Sequence, residues 1–368
     1  MNGFANRRRS NKTRWMAWLA LFLCACCAPA GADCPRLLMF DGVDYRTQIN
    51  PEQAAYWGRT VGVQGFFVNN AMAYWQVDVG TDPGSALWQA LRRFQTLYAQ
   101  YGVTDNFIKV ALYKGHDWHD ADQNAAVVEH FAHAAALARY AGLKGIALDL
   151  EPHQPAWGAG AGGPELAATV EQTGRAIGEA MHQAYPDMTL IVLPDVLLEA
   201  QRDRMFEQKL EAGMQWLAGR PNRLSNGGYG LAVPFVRGLL SVPWKHVVLA
   251  TEQTYNGHII PSMRQAEQQY AALLDAVPVK PEDFSVAPGL WPLGLSYGDK
   301  SGRKNPDEFE RRLREAFGLA ERYVWIYGKG SAWQTDGPYG KGPVAADFRQ
   351  YVDAIHRVRM ACAANGLP

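Results

Sequence analysis

The sequence predicts an α/β fold, a closed (β/α)8 barrel of the TIM type. Eight short apolar runs recur at 37–40, 65–68, 107–112, 146–150, 189–193, 246–250, 284–287 and 323–327. Between most of them lie longer segments, at 87–101, 121–141, 165–185, 201–217, 263–276 and 306–320, with apolar residues at roughly helical spacing. Continuous apolar runs fit parallel strands buried on both faces, and strict alternation of strand and helix fits a parallel barrel. An open doubly wound sheet is the other architecture with this alternation. It carries a glycine-rich fingerprint after its first strand, where this chain reads Asp41-Gly-Val-Asp44.

Taken in order, the runs end in polar residues. The first ends in Asp41, and the connection after it, around 51–59, is short and poorly patterned. The second ends in Asn69-Asn70, with Tyr74 and Trp75 just beyond. The third leads into Tyr113-Lys114-Gly-His116. The fourth ends in Asp149 and Glu151, the fifth in Pro194-Asp195, and the sixth in Glu252-Gln253. The seventh ends Ala287-Pro-Gly-Leu-Trp291 with no acid, and the eighth ends in Tyr327. A (β/α)8 barrel holds its chemistry at the carboxyl ends of its strands, so this clustering carries more weight than any one motif.

Before the first run stands a segment with the pattern of a secretory signal. Arg7, Arg8, Arg9, Lys12 and Arg14 precede an almost wholly apolar stretch over 15–27, and Ala30-Gly-Ala32 forms a small-residue cleavage site. The expected organisation is a signal peptide over 1–32 and a single catalytic barrel over 33–368, secreted or periplasmic. A membrane span takes ~20 apolar residues, so no stable anchor is expected after cleavage. Thirty-six basic residues balance thirty-six acidic ones, which argues against nucleic acid or an anionic membrane as partner. Of five cysteines, Cys24, Cys26 and Cys27 leave with the signal. Cys34 and Cys362 remain at opposite ends, and in an exported chain they read as one disulfide. Two buried free thiols are the other arrangement. Twelve tryptophans and sixteen tyrosines favour core packing first and a carbohydrate partner second, because sugars stack their C–H faces on aromatic rings.

The fourth run is the most informative. Ile146-Ala-Leu-Asp149-Leu-Glu151-Pro places two carboxylates two residues apart. Strand side chains alternate, so both point the way Ala147 points. Acids held side by side repel each other, and such repulsion raises the pKa of one member of a pair, as a general acid near neutral pH requires.

At this point the chain resembles the barrel-shaped glycoside hydrolases, and the fourth strand is similar to that of the chitinase-like group. That group reads Asp-Gly-x-Asp-x-Asp-x-Glu. The corresponding positions here are Lys144, Gly145, Ala147, Asp149 and Glu151, so the last two acids match and the first two are absent. Tyr255-Asn256 corresponds to the group's sixth-strand Tyr-Asp pair, and Trp325 to its eighth-strand tryptophan, which floors the sugar site. The resemblance implies hydrolysis of glycosidic bonds in an extracellular or cell-envelope polysaccharide, with no cofactor.

Glycoside hydrolysis needs a proton for the leaving oxygen and a second carboxylate that attacks or activates water. Glu151 is the candidate acid. With no acid on the seventh strand, Glu252 is the natural partner; alternatively Asp149 is the nucleophile and Glu252 the acid. Asp41, Asn69, Tyr74, Trp75, Asp195, Tyr255, Trp291, Trp325 and Tyr327 are candidates for binding substrate. Trp118, Trp157 and Trp333 lie near strand ends as further stacking positions or as packing. The glycine-rich stretch 158–163 is a lid or a spacer.

Two rivals remain at this stage. His116-Asp-Trp-His119-Asp120, with Asp41 and Asp44, has metal-ligand residue types and resembles the metal-dependent polysaccharide deacetylases, although those space their histidines four apart rather than three. A barrel that binds polysaccharide without cutting it is the other.

Overall fold

The computed structural model describes residues 34–40, 43–69, 71–72, 75–112, 116–151, 157, 163–197, 229–255, 257–274, 277–292, 304–328, 333 and 344–365. The segment read as a signal peptide, the second half of the pair at 69–70, Asp41, Tyr74 and the predicted helix over 201–217 lie outside them.

The eight predicted strands are present as β1 (Arg36–Phe40), β2 (Gly65–Val68), β3 (Phe107–Ala111), β4 (Gly145–Asp149), β5 (Thr189–Leu193), β6 (Val247–Thr251), β7 (Phe284–Leu290) and β8 (Tyr323–Tyr327). They form one closed parallel barrel in sequence order. β8 closes on β1 through five register pairs, from Arg36 opposite Tyr323 to Phe40 opposite Tyr327. The molecule is therefore a (β/α)8 barrel.

The helices are α1 (Pro51–Ala55), α2 (Ala86–Ala99), α3 (Ala121–Ala141), α4 (Gly163–Ala184), α5 (Ala232–Leu239), α6 (Ile259–Leu274), α7 (Pro306–Leu319) and α8 (Val344–Asn365). Their starts follow capping chemistry. Asn50, Ser85, Asp120 and Asn305 each accept a backbone N–H of the first turn through the side chain. The poorly patterned first connection is α1 running directly into a π-helical turn, Tyr56–Val61. α3 ends at Gly142, whose φ of 76° turns the chain into β4. Two further helices were not predicted. α5 reads Ala-Val-Pro-Phe-Val-Arg-Gly-Leu, and its internal Pro234 and Gly238 break the pattern that marks a helix. α8 has a weak apolar stripe along twenty-two residues.

The alternation of strand side chains builds two separate cores. Leu38, Phe40, Phe67, Phe107, Ala147, Ile191, Leu193, Val248, Ala250, Ala287, Tyr323 and Trp325 fill the barrel. Leu37, Met39, Val68, Ile108, Val110, Ile146, Leu148, Val192, Leu249, Val324 and Ile326 face the helices. The inward set determines which strand-end residues reach the mouth. Asp149 is in phase with Ala147, and Glu252 with Ala250. The opposite end is closed by Asp105, which accepts from the Tyr323 hydroxyl at 2.9 Å and pairs with Arg36.

Candidate active site at the carboxyl mouth of the barrel

A turn after β6 organises the mouth. Tyr255 N–H donates to Glu252 O at 2.9 Å, which folds the Tyr255 ring back over the barrel. There it lies 5.3 Å from Trp325, 5.4 Å from Trp291 and 6.3 Å from Tyr327, centroid to centroid. Trp291 and Tyr327 meet edge to face at 5.1 Å, and Phe40 lies 5.2 Å from Tyr327. Trp325 is wholly buried beneath these rings. Its indole lies across β7 because position 289 is glycine: a Cβ there would meet Trp325 Cζ2 at 2.6 Å and Thr251 O at 2.9 Å. Its Nε1 donates to Ala287 O at 3.1 Å. Trp291 and Tyr327 remain partly exposed.

The carboxylates converge on this aromatic bowl. The Tyr255 hydroxyl donates to Glu252 Oε1 at 3.4 Å. Burial, with the negative charges of Glu252 and then Glu151, pushes the Tyr255 phenol well above its ordinary range. One tyrosine therefore feels acids from two different strands, β6 and β4. Glu151 and Glu252 are both half-buried.

Asp149 occupies a different setting. Its Oδ2 lies 2.9 Å from Lys109 Nζ, with both side chains buried, and its Oδ1 accepts the Glu151 N–H at 3.2 Å. Lys109 comes from the middle of β3 and lies 4.8 Å above the centroid of Phe40. The repulsion between Asp149 and Glu151 expected from their spacing is thus offset by a cation that the apolar pattern of the third run concealed. A usable signal was present. Phe107-Ile-Lys-Val-Ala111 sets a lysine in phase with Phe107 and Ala111, and a lysine pointing into a barrel needs an acid beside it.

Arg312 on α7 is the second residue supporting this mouth that sequence reasoning passed over. It is buried on the same stripe as Phe309, Leu313 and Ala316. Its Nη2 donates to the carbonyls of Thr254, Tyr255 at 3.4 Å and Gly257 at 2.9 Å. Thr254 also ties the turn to β7, its hydroxyl accepting from Gly289 N at 2.8 Å and donating to Gly289 O at 2.7 Å. Arg312 and Thr254 therefore hold the turn that presents Glu252 and Tyr255. Arg312→Met is expected to cost about 2–4 kcal/mol of stability, because three carbonyls lose a charged donor. Arg312→Lys should recover only part, since an ammonium lacks the planar fork. Denaturant unfolding of the three proteins checks this.

Other candidates sit elsewhere. Asn69 is half-buried at the end of β2. Asp195 is wholly buried, and its charge adds to burial in raising the pKa of Tyr270 on α6. Trp75 is buried, with its ring 5.0 Å from His116. Trp118 and Trp157 are buried against each other at 5.5 Å, and Trp157 against Phe235 at 5.2 Å. Trp333 is buried against Tyr351. Trp118, Trp157 and Trp333 are thus packing residues with no exposed face. The stretch 158–162, part of the predicted lid or spacer, and Asn256 lie outside the described residues.

The histidine stretch opens a helix. Asp120 caps α3, Asp117 Oδ1 accepts the His119 N–H at 3.0 Å, and His116 Nε2 is 2.8 Å from Asn124 Oδ1. Burial lowers the His116 pKa. Among the described residues no group of three His, Cys, Asp or Glu side chains could hold a metal ion.

No protein-family model matches the chain, and no curated protein does. Solved structures similar to it include a GH18 chitinase from Pseudoalteromonas aurantia, at 10% identity and a TM-score of 0.44, covering 88% of this chain and 99% of that one. An endo-1,4-beta-mannanase from Rhizomucor miehei is 12% identical with a TM-score of 0.49, covering 87% of this chain and 95% of that one. The 3-keto-D-glucoside 4-epimerase of E. coli is 13% identical with a TM-score of 0.44, covering 89% of this chain and 99% of that one. At these identities the likeness carries no chemistry, and the fold assignment stands on the closed sheet itself.

Proposed function

We propose that this barrel is an exported glycoside hydrolase that cleaves a polysaccharide outside the cell or in the cell envelope. The observation that carries the proposal is Tyr255, whose hydroxyl meets Glu252 and whose phenol feels the charge of Glu151 from another strand, in one aromatic cluster with the partly exposed Trp291 and Tyr327. In this reading Glu151 protonates the leaving glycosidic oxygen. Glu252 then attacks the sugar or activates water, as the two-carboxylate mechanism requires. Tyr255 stays a phenol at working pH and supports Glu252 as the anion through its hydroxyl. The open aromatic faces suit the C–H faces of sugar rings. Export is read from the segment 1–32, and it accords with the Cys34–Cys362 disulfide. No described helix is long and apolar enough to cross a membrane.

Digestion of a polysaccharide panel, with products read by mass spectrometry, tests the proposal. New reducing ends on at least one glycan are expected. Binding without cleavage across the panel would leave a carbohydrate-binding barrel instead.

A chelator separates this reading from metal-dependent deacetylation. Carboxylate chemistry needs no ion, so turnover in EDTA should equal turnover without it. Loss of activity in EDTA, recovery with zinc, and a His116→Ala variant as damaged as Glu151→Gln would together move the assignment to the deacetylases.

A further inference from the structure

Lys109 and Asp149 form a buried ion pair inside the barrel, among the apolar and aromatic side chains that make up most of its filling. Backbone register explains the contact: Lys109 lies opposite Ala147, and Ala111 opposite Asp149, so the lysine reaches diagonally to the acid one inward position up. A continuous path of contacts results, from the Phe40 ring to the Lys109 ammonium, from there to Asp149 Oδ2, and from Asp149 Oδ1 to the backbone N–H of Glu151.

Such a pair is poorly explained by stability alone. Removing two charges from water is costly, and apolar residues of similar volume often serve a core as well or better. Its placement is specific, however. It engages both oxygens of the acid next to Glu151, one through a cation and one through the Glu151 amide itself. On the mouth side, the titratable groups that act on one another around Tyr255 are Glu151 from the end of β4, Glu252 from the β6 turn and Tyr327 from β8. Lys109 is therefore the cation that Asp149 meets in the barrel interior.

We propose that Lys109 is a positioning residue of this site: it holds Asp149 as an anion against the Glu151 N–H, so that the exchangeable proton of the two strand-four acids belongs to Glu151 alone. The inference rests on the reading of Glu151 as proton donor, but its test does not depend on turnover.

The test is a titration of the Glu151 carboxyl by 13C NMR, in full-length protein carrying labelled glutamate and assigned with Glu151→Gln. In the unaltered protein Glu151 is expected to titrate in one step. In Lys109→Met Asp149 loses its cation, and the two acids become a coupled pair. Glu151 should then titrate in two steps separated by more than about one pH unit. Lys109→Met/Asp149→Asn removes the second acid and should restore one step. Should Lys109→Met fail to fold, Lys109→Gln keeps a donor toward Asp149 without the charge and should give the same two-step curve. One step in the charge-removing variant, two steps in the unaltered protein, or two steps persisting in the double variant would each overturn the proposal. The two readings fail separately. A protein that cuts no glycan yet shows the one-step to two-step change keeps Lys109 as positioning residue and loses the glycosidase. One that cuts glycans with an unchanged Glu151 titration keeps the glycosidase and loses the role of Lys109.

Discussion

Glu151→Gln is expected to fold as the unaltered protein does and to lose about 10²–10⁴-fold in kcat, the usual share of general acid catalysis. The amide is nearly isosteric with the acid, and the half-buried position can accept it. The backbone N–H of Glu151 donates to Asp149, and the substitution leaves that contact intact. The stability change should therefore stay within about 1 kcal/mol, small beside the loss in rate. KM should change little, since the loss falls on the chemical step. Substrates with good leaving groups need little protonation, so the loss on an activated aryl glycoside should be smaller than on the natural polymer. Near-normal turnover of the natural polymer by the variant would remove Glu151 as the acid and pass the role to Glu252.

The barrel was legible because its signal is repeated. Each strand is buried on both faces, so Leu37–Phe40, Thr189–Leu193 or Tyr323–Tyr327 reads as a plain apolar run, and eight such runs in alternation leave few architectures. Departures from the reading came where local chemistry conflicts with the pattern. Pro234 and Gly238 hide α5, and the π-helical turn at Tyr56–Val61 has no 3.6-residue period. The positions of Asp149, Glu151, Glu252, Tyr255, Trp291 and Tyr327 at strand ends were also legible, because topology alone puts those ends at one mouth. What the sequence concealed is how the acids are held. Lys109 interrupts an apolar run and Arg312 an amphipathic one, and a pattern of apolar spacing treats both as noise. Their partners, Asp149 and the carbonyls of Thr254, Tyr255 and Gly257, are distant in sequence and become neighbours only when the barrel closes.

Removing the disulfide, by Cys34→Ala with Cys362→Ala, is expected to cost about 3–5 kcal/mol and to lower the melting temperature by roughly 4–7 °C. The cysteines lie 328 residues apart in sequence and 5.9 Å apart between Cα atoms, so the bond closes a loop spanning nearly the whole described chain. Chain-entropy stabilisation grows with the logarithm of loop length, and this loop stands near its upper end. The native state should lose little by comparison, because other contacts hold the same elements together. β1 and β8 pair through five register positions, and Arg359 of α8 donates to Gly62 O at 2.6 Å. The variant should therefore keep the circular dichroism and the glycan turnover of the unaltered protein at low temperature while unfolding earlier. The unaltered protein in excess reductant should melt where the variant melts. A variant melting within about one degree of the unaltered protein would mean that the two ends already meet in the unfolded chain, leaving the bond little entropy to remove.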